Sequence, residues 1–412
     1  MTHAADRSAP EPDDAHALPR RAARRSRDVA TAPGSGVLRN ARLVLEDGVV
    51  HGSIRWERGL ITDIDSGVSA VGEDAGGELL VPGLVELHTD HLETHYTPRP
   101  GVRWDMLSAI QSHDAQIATA GITTVLDCLR VGTSGEDGFG PGEMRRLATA
   151  LAQAELEGRL RAEHHLHLRC EVSAANALED YAAFAEDERV RLVSLMDHAP
   201  GQRQFASLEA YAAYHQGVLK MDDETFRHFV EERLAESERH AAPHRRAIAS
   251  RAAARGVALA SHDDASRAHV AESLGHGVSI AEFPTTREAA EASREAGLVV
   301  LMGAPNVVRG LSHSGNVSAR ELAAAGLLDV LSSDYVPASL LQAAFLLSRG
   351  LGLVSLPDAI ALVSATPARV AGLLDRGRLA PGLRADMVRL ANAERDEVPT
   401  VRAVWRAGCR VA

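Results

Sequence analysis

Two side chains able to hold a cation, His88 and Asp90, stand two residues apart where the apolar run VPGLVELHTD ends. Residues two apart on a strand share a face, so both would leave the strand's end in the same direction. Single groups of the same kind close later apolar runs: Glu171 in HLHLRCEV, His198 in RLVSLMDH, His262 in VALASHDD and Asp334 in DVLSSDY. These are borderline-to-hard ligands, suited to divalent zinc, manganese, iron or a similar ion, and do not form a thiolate site. One tetrahedral ion needs fewer ligands, so the set points to two ions per chain that share a carboxylate and a water. The shared water would be the nucleophile, with Asp334 orienting it and taking its proton. By period two, His165, His167 and Arg169 lie on the same strand face as Glu171. His167 and Arg169 are expected to support the ligands, and Asp263 beside His262 to orient them; its neighbour Asp264 reads equally well as a turn acid.

A second set of residues follows the same runs. Arg99 and Arg103 come after the first, Arg130 after the second, Arg203 after the fourth, and Arg309 with His313 after the seventh. Guanidinium groups match phosphate oxygens in pairs and stay charged at any relevant pH. In a chain of net charge −12, arginines gathered at one place would form a local anion trap. Ordinary surface ion pairing is the competing account, since this chain uses Arg almost everywhere in place of Lys.

The runs that must position these groups are LVELHTD, ITTVLDC, HLHLRCEV, RLVSLMDH, VALASHDD, SIAEFPTT, LVVLMGAPN and DVLSSDY, separated by Ala-, Glu- and Arg-rich helical stretches. Such alternation predicts an α/β fold, a (β/α)8 TIM-like barrel, with the polar residues at the C-terminal strand ends where barrels carry their chemistry. An open doubly wound sheet would be expected to show GxGxxG after an early strand, and none occurs. Residues 37–80 and 375–412 read instead as short alternating strands broken by Gly and Asp, which predicts a small β-sandwich domain built from both chain ends around the barrel of 81–374. Residues 1–36 mix Pro, Ala, Asp and Arg without periodicity and are expected to be a disordered tail. The acidic balance and the low aromatic content argue against a nucleic-acid surface. No apolar run suggests a membrane span or a secretory signal. Cys128, Cys170 and Cys409 are few and far apart, which fits a reducing cytoplasm. The expected partner is a small molecule, and a homo-oligomer stays open.

His-x-acid on a first barrel strand, single histidines on later strands, a last-strand Asp and the tail GRLAPGLRADMV resemble the amidohydrolase superfamily. Members commonly carry His-x-His at the first position and often a carboxylated lysine as the metal bridge. Here Asp90 replaces the second histidine, and the only lysine, Lys220, lies in a polar stretch, so Glu171 is left to bridge. The segments PGLVELHTD, TPRPGVRW, AEHHLHLRCE, LVSLMDHAPGQRQF, ASHDDASRAHVAES, IAEFPTT, LMGAPNVVRGLSHSGN and LSSDYVPASLL are similar to one branch, the triphosphate diphosphatases of the carbon–phosphorus lyase pathway. The resemblance runs from about Val37 to the C-terminus. It implies a divalent-metal hydrolase acting on a phosphorylated, phosphonate-bearing ribose and releasing pyrophosphate. Two other readings stand beside it. A deaminase or cyclic-amide hydrolase would use the same centre on carbon with fewer arginines, and a non-catalytic phosphosugar-binding subunit would tolerate loss of ligands.

Overall fold

A computed structural model describes residues 33–132, 139–140, 142–200, 202–203, 222–312, 315–393 and 398–412. Lys220, His313 and nearly all of the predicted tail lie outside the described residues. The tail's last residues do not: Gly34 N donates to Ala407 O and its carbonyl accepts from Gly59 N, so the ordered chain starts before Val37.

Five strands open the described chain, β1 (Gly36–Leu45), β2 (Gly48–Glu57), β3 (Leu60–Asp65), β4 (Glu73–Asp74) and β5 (Leu79–Pro82). Eight more follow: β6 (Leu84–Thr89), β7 (Ile122–Val131), β8 (Glu163–Glu171), β9 (Val190–Met196), β10 (Ala258–His262), β11 (Ile280–Glu282), β12 (Val299–Gly303) and β13 (Val330–Ser332). Three return at the end, β14 (Met387–Ala391), β15 (Thr400–Arg406) and β16 (Cys409–Arg410). The first five and the last three make one sheet, in which β14 pairs antiparallel with β5. That sheet buries a core of its own around Leu38, Ile54, Trp56, Met387 and Trp405.

β6 to β13 form a second sheet in chain order, every neighbouring pair parallel. Its two edges meet. Thr89 bridges Asp334, whose N donates to His88 O while its own carbonyl accepts from Asp90 N. Glu86 clamps the same seam, one oxygen accepting from His88 N and the other from Ser333 N, each at 2.6 Å. The closure makes a barrel and leaves no open edge for another chain to pair with. Each of the eight strands coincides with one of the eight apolar runs, and among the described residues no further barrel strand separates β7 from β8. Glu171 therefore ends the third barrel strand.

Inside the barrel Leu126, Leu192, Ala260 and Ile280 share one apolar cluster with Val85 and Leu87. Two residues further along their strands stand Cys128, Ser194, His262 and Glu282, all buried. Because the side-chain period is two, these occupy the next layer up, so the lining changes from apolar to ionisable as it nears the C-terminal mouth. Gly83 joins the two sheets where no side chain fits: a Cβ there would come within 2.3 Å of Thr123 Oγ1. Arg376 and Arg384 both pair with Glu163 at the start of β8, tying the end sheet to the barrel's closed base. Among the described residues no helix is long and apolar enough to cross a membrane.

Candidate metal centre

Three of the eight strand ends are followed by residues in the left-handed backbone region: Asp263 after β10, Phe283 after β11 and Asp334 within the turn after β13, with φ of 58°, 53° and 54°. Non-glycine residues avoid this region at a cost of about 1–3 kcal/mol, and they persist where the surroundings hold them. Here the surroundings are ladder bonds carried past the strand ends, from Asp263 N to Glu282 O and from Phe283 N to Leu301 O. The left-handed turn redirects the chain, and the Asp263 carboxylate ends up beside two ligand-type imidazoles.

His262 Nε2 lies 3.4 Å from Asp263 Oδ2, and His198 Nε2 lies 3.7 Å from the same oxygen. These separations are long for hydrogen bonds, and Asp263 Oδ2 is a buried atom without one. Two donors bound at 2.0–2.1 Å to one tetrahedral cation would sit about 3.3 Å apart. Asp90 Oδ1 is likewise buried without a hydrogen-bond partner, while Oδ2 pairs with Arg169 Nη1 at 2.5 Å. The donor set of imidazole nitrogen and unsatisfied carboxylate oxygen fits a divalent cation of the zinc or manganese kind.

Glu282 was not singled out in the sequence, and it organises the cluster. Fully buried at the end of β11, it accepts from His88 Nδ1 on one oxygen and from His262 Nδ1 on the other, each at 2.7 Å. Ser194 Oγ donates to the second oxygen at 2.8 Å. Proton-bearing Nδ1 atoms leave the Nε2 lone pairs of both histidines outward, which is how outer carboxylates prepare imidazole ligands. Burial would raise the Glu282 value, but His88 and His167 hold it well below the usual carboxylate range. The ring of Phe283 packs edge-on against His88 and His262, with centroids 5.0 and 5.3 Å away. The available signal was an acid inside an otherwise apolar strand, SIAEF, at the height where other strands carry ligands.

The remaining expected ligands lie around this group. Glu171 Oε2 accepts from His198 Nδ1 at 2.7 Å, and Ser173 Oγ donates to Oε1. Burial would lower the His198 value, yet Glu171 and Asp263 beside it hold it up at about 10. Asp90 is burdened by burial and held below the usual range by Arg169 and His88. Asp334 closes the mouth from the last strand, its Oδ2 facing Gly303. His167 lies deeper, its Nδ1 2.8 Å from Leu87 O and its Nε2 2.6 Å from Ser194 Oγ. His165 pairs with Glu163 toward the barrel's base.

The arginines divide into two kinds. Arg103 pairs with Glu143 and lies over the Phe139 ring, and Arg130 pairs with both oxygens of Glu93. Arg203 is buried in ion pairs with Asp264 and Glu272. Only Arg99 and Arg309 of the five described are exposed. Arg103, Arg130 and Arg203 thus each pair with carboxylates of the chain.

A closed eight-stranded parallel barrel whose C-terminal mouth gathers imidazoles and carboxylates defines a metal-dependent hydrolase barrel. The sequence pattern of the amidohydrolase family matches residues 106–412, and the chain belongs to that family. It is 48% identical over 378 residues, 91% of this chain and 100% of the other, to the alpha-D-ribose 1-methylphosphonate 5-triphosphate diphosphatase of Escherichia coli strain K12. Among solved structures it is similar to the N-acetylglucosamine-6-phosphate deacetylase of Thermotoga maritima, at 16% identity and TM-score 0.57 over 91% of this chain and 99% of that one. The dihydropyrimidinase of Brevibacillus agri aligns at 14% identity and TM-score 0.57 over 91% and 94%. Similarity at that level shows the shared fold alone. Divalent-metal dependence is a general property of the superfamily, and the clusters above supply donors for it.

Proposed function

We propose that this chain is a cytoplasmic hydrolase that converts α-D-ribose 1-methylphosphonate 5-triphosphate into α-D-ribose 1-methylphosphonate 5-phosphate and pyrophosphate. The observation that carries the reading is identity of 48% along the whole of the Escherichia coli diphosphatase. Geometry supports the chemistry at the barrel mouth. His88, His198 and His262, with Asp90, Asp263, Glu171 and Asp334, would hold two divalent cations. When bound, such ions lower the pKa of a water and offset charge on phosphoryl oxygens.

The chain's own residues do the rest. Glu282 keeps His88 and His262 in one tautomer, and Arg169 fixes Asp90 while leaving its other oxygen open. Asp334, held by backbone bonds to the first strand, orients the attacking water and takes its proton at the carboxylate. Arg99, exposed in the loop after the first strand, and Arg309, exposed at the end of the helix after the seventh, bind the outer phosphates and stabilise pyrophosphate as it leaves. Arg103, Arg130 and Arg203 stand behind them in ion pairs and shape the pocket's field. His313 belongs to the same proposed anion loop.

Phosphorus NMR of metal-supplied protein with the sugar triphosphate tests the reading. Pyrophosphate and a sugar 5-phosphate should appear together. No pyrophosphate, with turnover of a cyclic amide or an amine-bearing heterocycle instead, would overturn it.

A further inference from the structure

A second imidazole cluster lies just outside the barrel mouth and takes no part in the reaction above. The helix α1 (His91–Tyr96) follows β6 directly, and α2 (Met106–Thr119) packs beside it. His91 and His95 are four apart on α1 and so share a helix face, the spacing by which helices present two imidazoles to one ion. His113 of α2 completes the trio. Ring centroids are 4.8 Å apart for His91 and His95, 5.6 Å for His91 and His113, and 6.2 Å for His95 and His113. One ring nitrogen from each lies within 4.8 Å of those of the other two.

Three details separate this trio from histidines that merely pack together. His91 Nδ1 and His113 Nδ1 are 3.4 Å apart, long for a hydrogen bond and near the roughly 3.3 Å between two nitrogens on one tetrahedral cation. His95 Nε2 is buried without any hydrogen-bond partner. His113 donates through Nε2 to Asp127 Oδ1 at 2.7 Å, and Asp127 is anchored in turn by His164 at 2.7 Å. A carboxylate on the far nitrogen is the arrangement that orients and strengthens an imidazole ligand. Burial and the neighbouring His113 also hold His95 below the usual imidazole value, against a hydrogen bond with Gln116 that raises it.

We propose that His91, His95 and His113 form a divalent-cation site of the zinc type, distinct from the centre at the barrel mouth, with the partly exposed His95 side open to a water as fourth ligand. The bound ion staples α1 to α2. Since α1 begins one residue after Asp90, the staple fixes the loop that leads out of the first strand. The site does not depend on which bond the mouth cleaves.

Metal-stripped, full-length protein titrated with Co2+ tests this, because tetrahedral Co2+ absorbs visibly. Wild type should take up one equivalent more than His95→Ala, and the variant should lose only that equivalent. Equal uptake by both would overturn the proposal. Should the variant fail to fold, wild-type crystals grown with Zn2+ decide alone: an anomalous peak at the zinc edge among the three rings supports the site, and a map without one refutes it.

Discussion

Glu282→Gln isolates what the buried carboxylate does, because the replacement keeps its shape and changes only its bonding. The carboxylate accepts two imidazole N–H groups and one hydroxyl. An amide offers one oxygen, and its NH2 would face the Nδ1–H of His88 or His262. The imidazole so confronted escapes by moving its proton to Nε2, and the lone pair aimed at the proposed metal is lost. Loss of an outer-shell partner typically weakens metal binding about 10–100-fold, or roughly 1.4–2.8 kcal/mol. In metal-free protein the loss of one charge-assisted hydrogen bond should cost about 1.5–3 kcal/mol. Competition against a chromophoric chelator reads the first quantity and urea unfolding the second. Metal affinity within about twofold of wild type would refute the tautomer argument, because the expected loss is at least about tenfold.

Glu171→Ala should reduce metal content toward one ion per chain and abolish most turnover; two tightly held ions in that variant, counted by mass spectrometry of metals, would move the bridge elsewhere. Turnover in heavy-oxygen water should place the label in the sugar 5-phosphate, and label in pyrophosphate would mean attack at the middle phosphorus instead. Removing residues 1–32 should leave melting and turnover nearly unchanged, whereas a cut extended through Gly36 should lower the melting temperature by removing the Gly34 bonds to Ala407 and Gly59. His164 is buried between Asp127 and Asp114; burial would lower its value, but the carboxylates raise it from 6.5 to about 10. Its contribution to stability is complete below pH 6.5 and lost as pH rises toward 10, so denaturant midpoints should fall across that window in wild type and change less in His164→Asn.

Much of this was legible along the chain. Every barrel strand announced itself as an apolar run, and each expected ligand stood at a run's end because the strand period fixes which residues face inward there. Glu171 on the third strand follows from the same reading. What stayed hidden was partnership. Nothing in the spacing of Arg203, Asp264 and Glu272 says that they pair, so an arginine in a phosphate-like loop was read as facing substrate. Glu282 was hidden for the opposite reason: a single acid in an apolar strand looks like an interruption until two histidines from other strands are seen to meet it. The left-handed backbone turn that brings Asp263 level with both His198 and His262 leaves no mark in hydrophobic periodicity.

The seam between the first and last barrel strands also sets the order in which this protein can come into being. Thr89 and Asp334 touch across 245 residues of chain, and contacts between residues so far apart form late. On the ribosome, the nascent chain carries His88 and Asp90 long before Asp334 is synthesised. Until then the growing sheet is an unclosed ladder with two bare edges, open to chaperones or to mispairing with another nascent chain. Asp334 therefore joins His88 and Asp90 only when the last barrel strand pairs with the first. A protein arrested just before that strand would lack Asp334, the seam that Glu86 clamps and the helices that follow it.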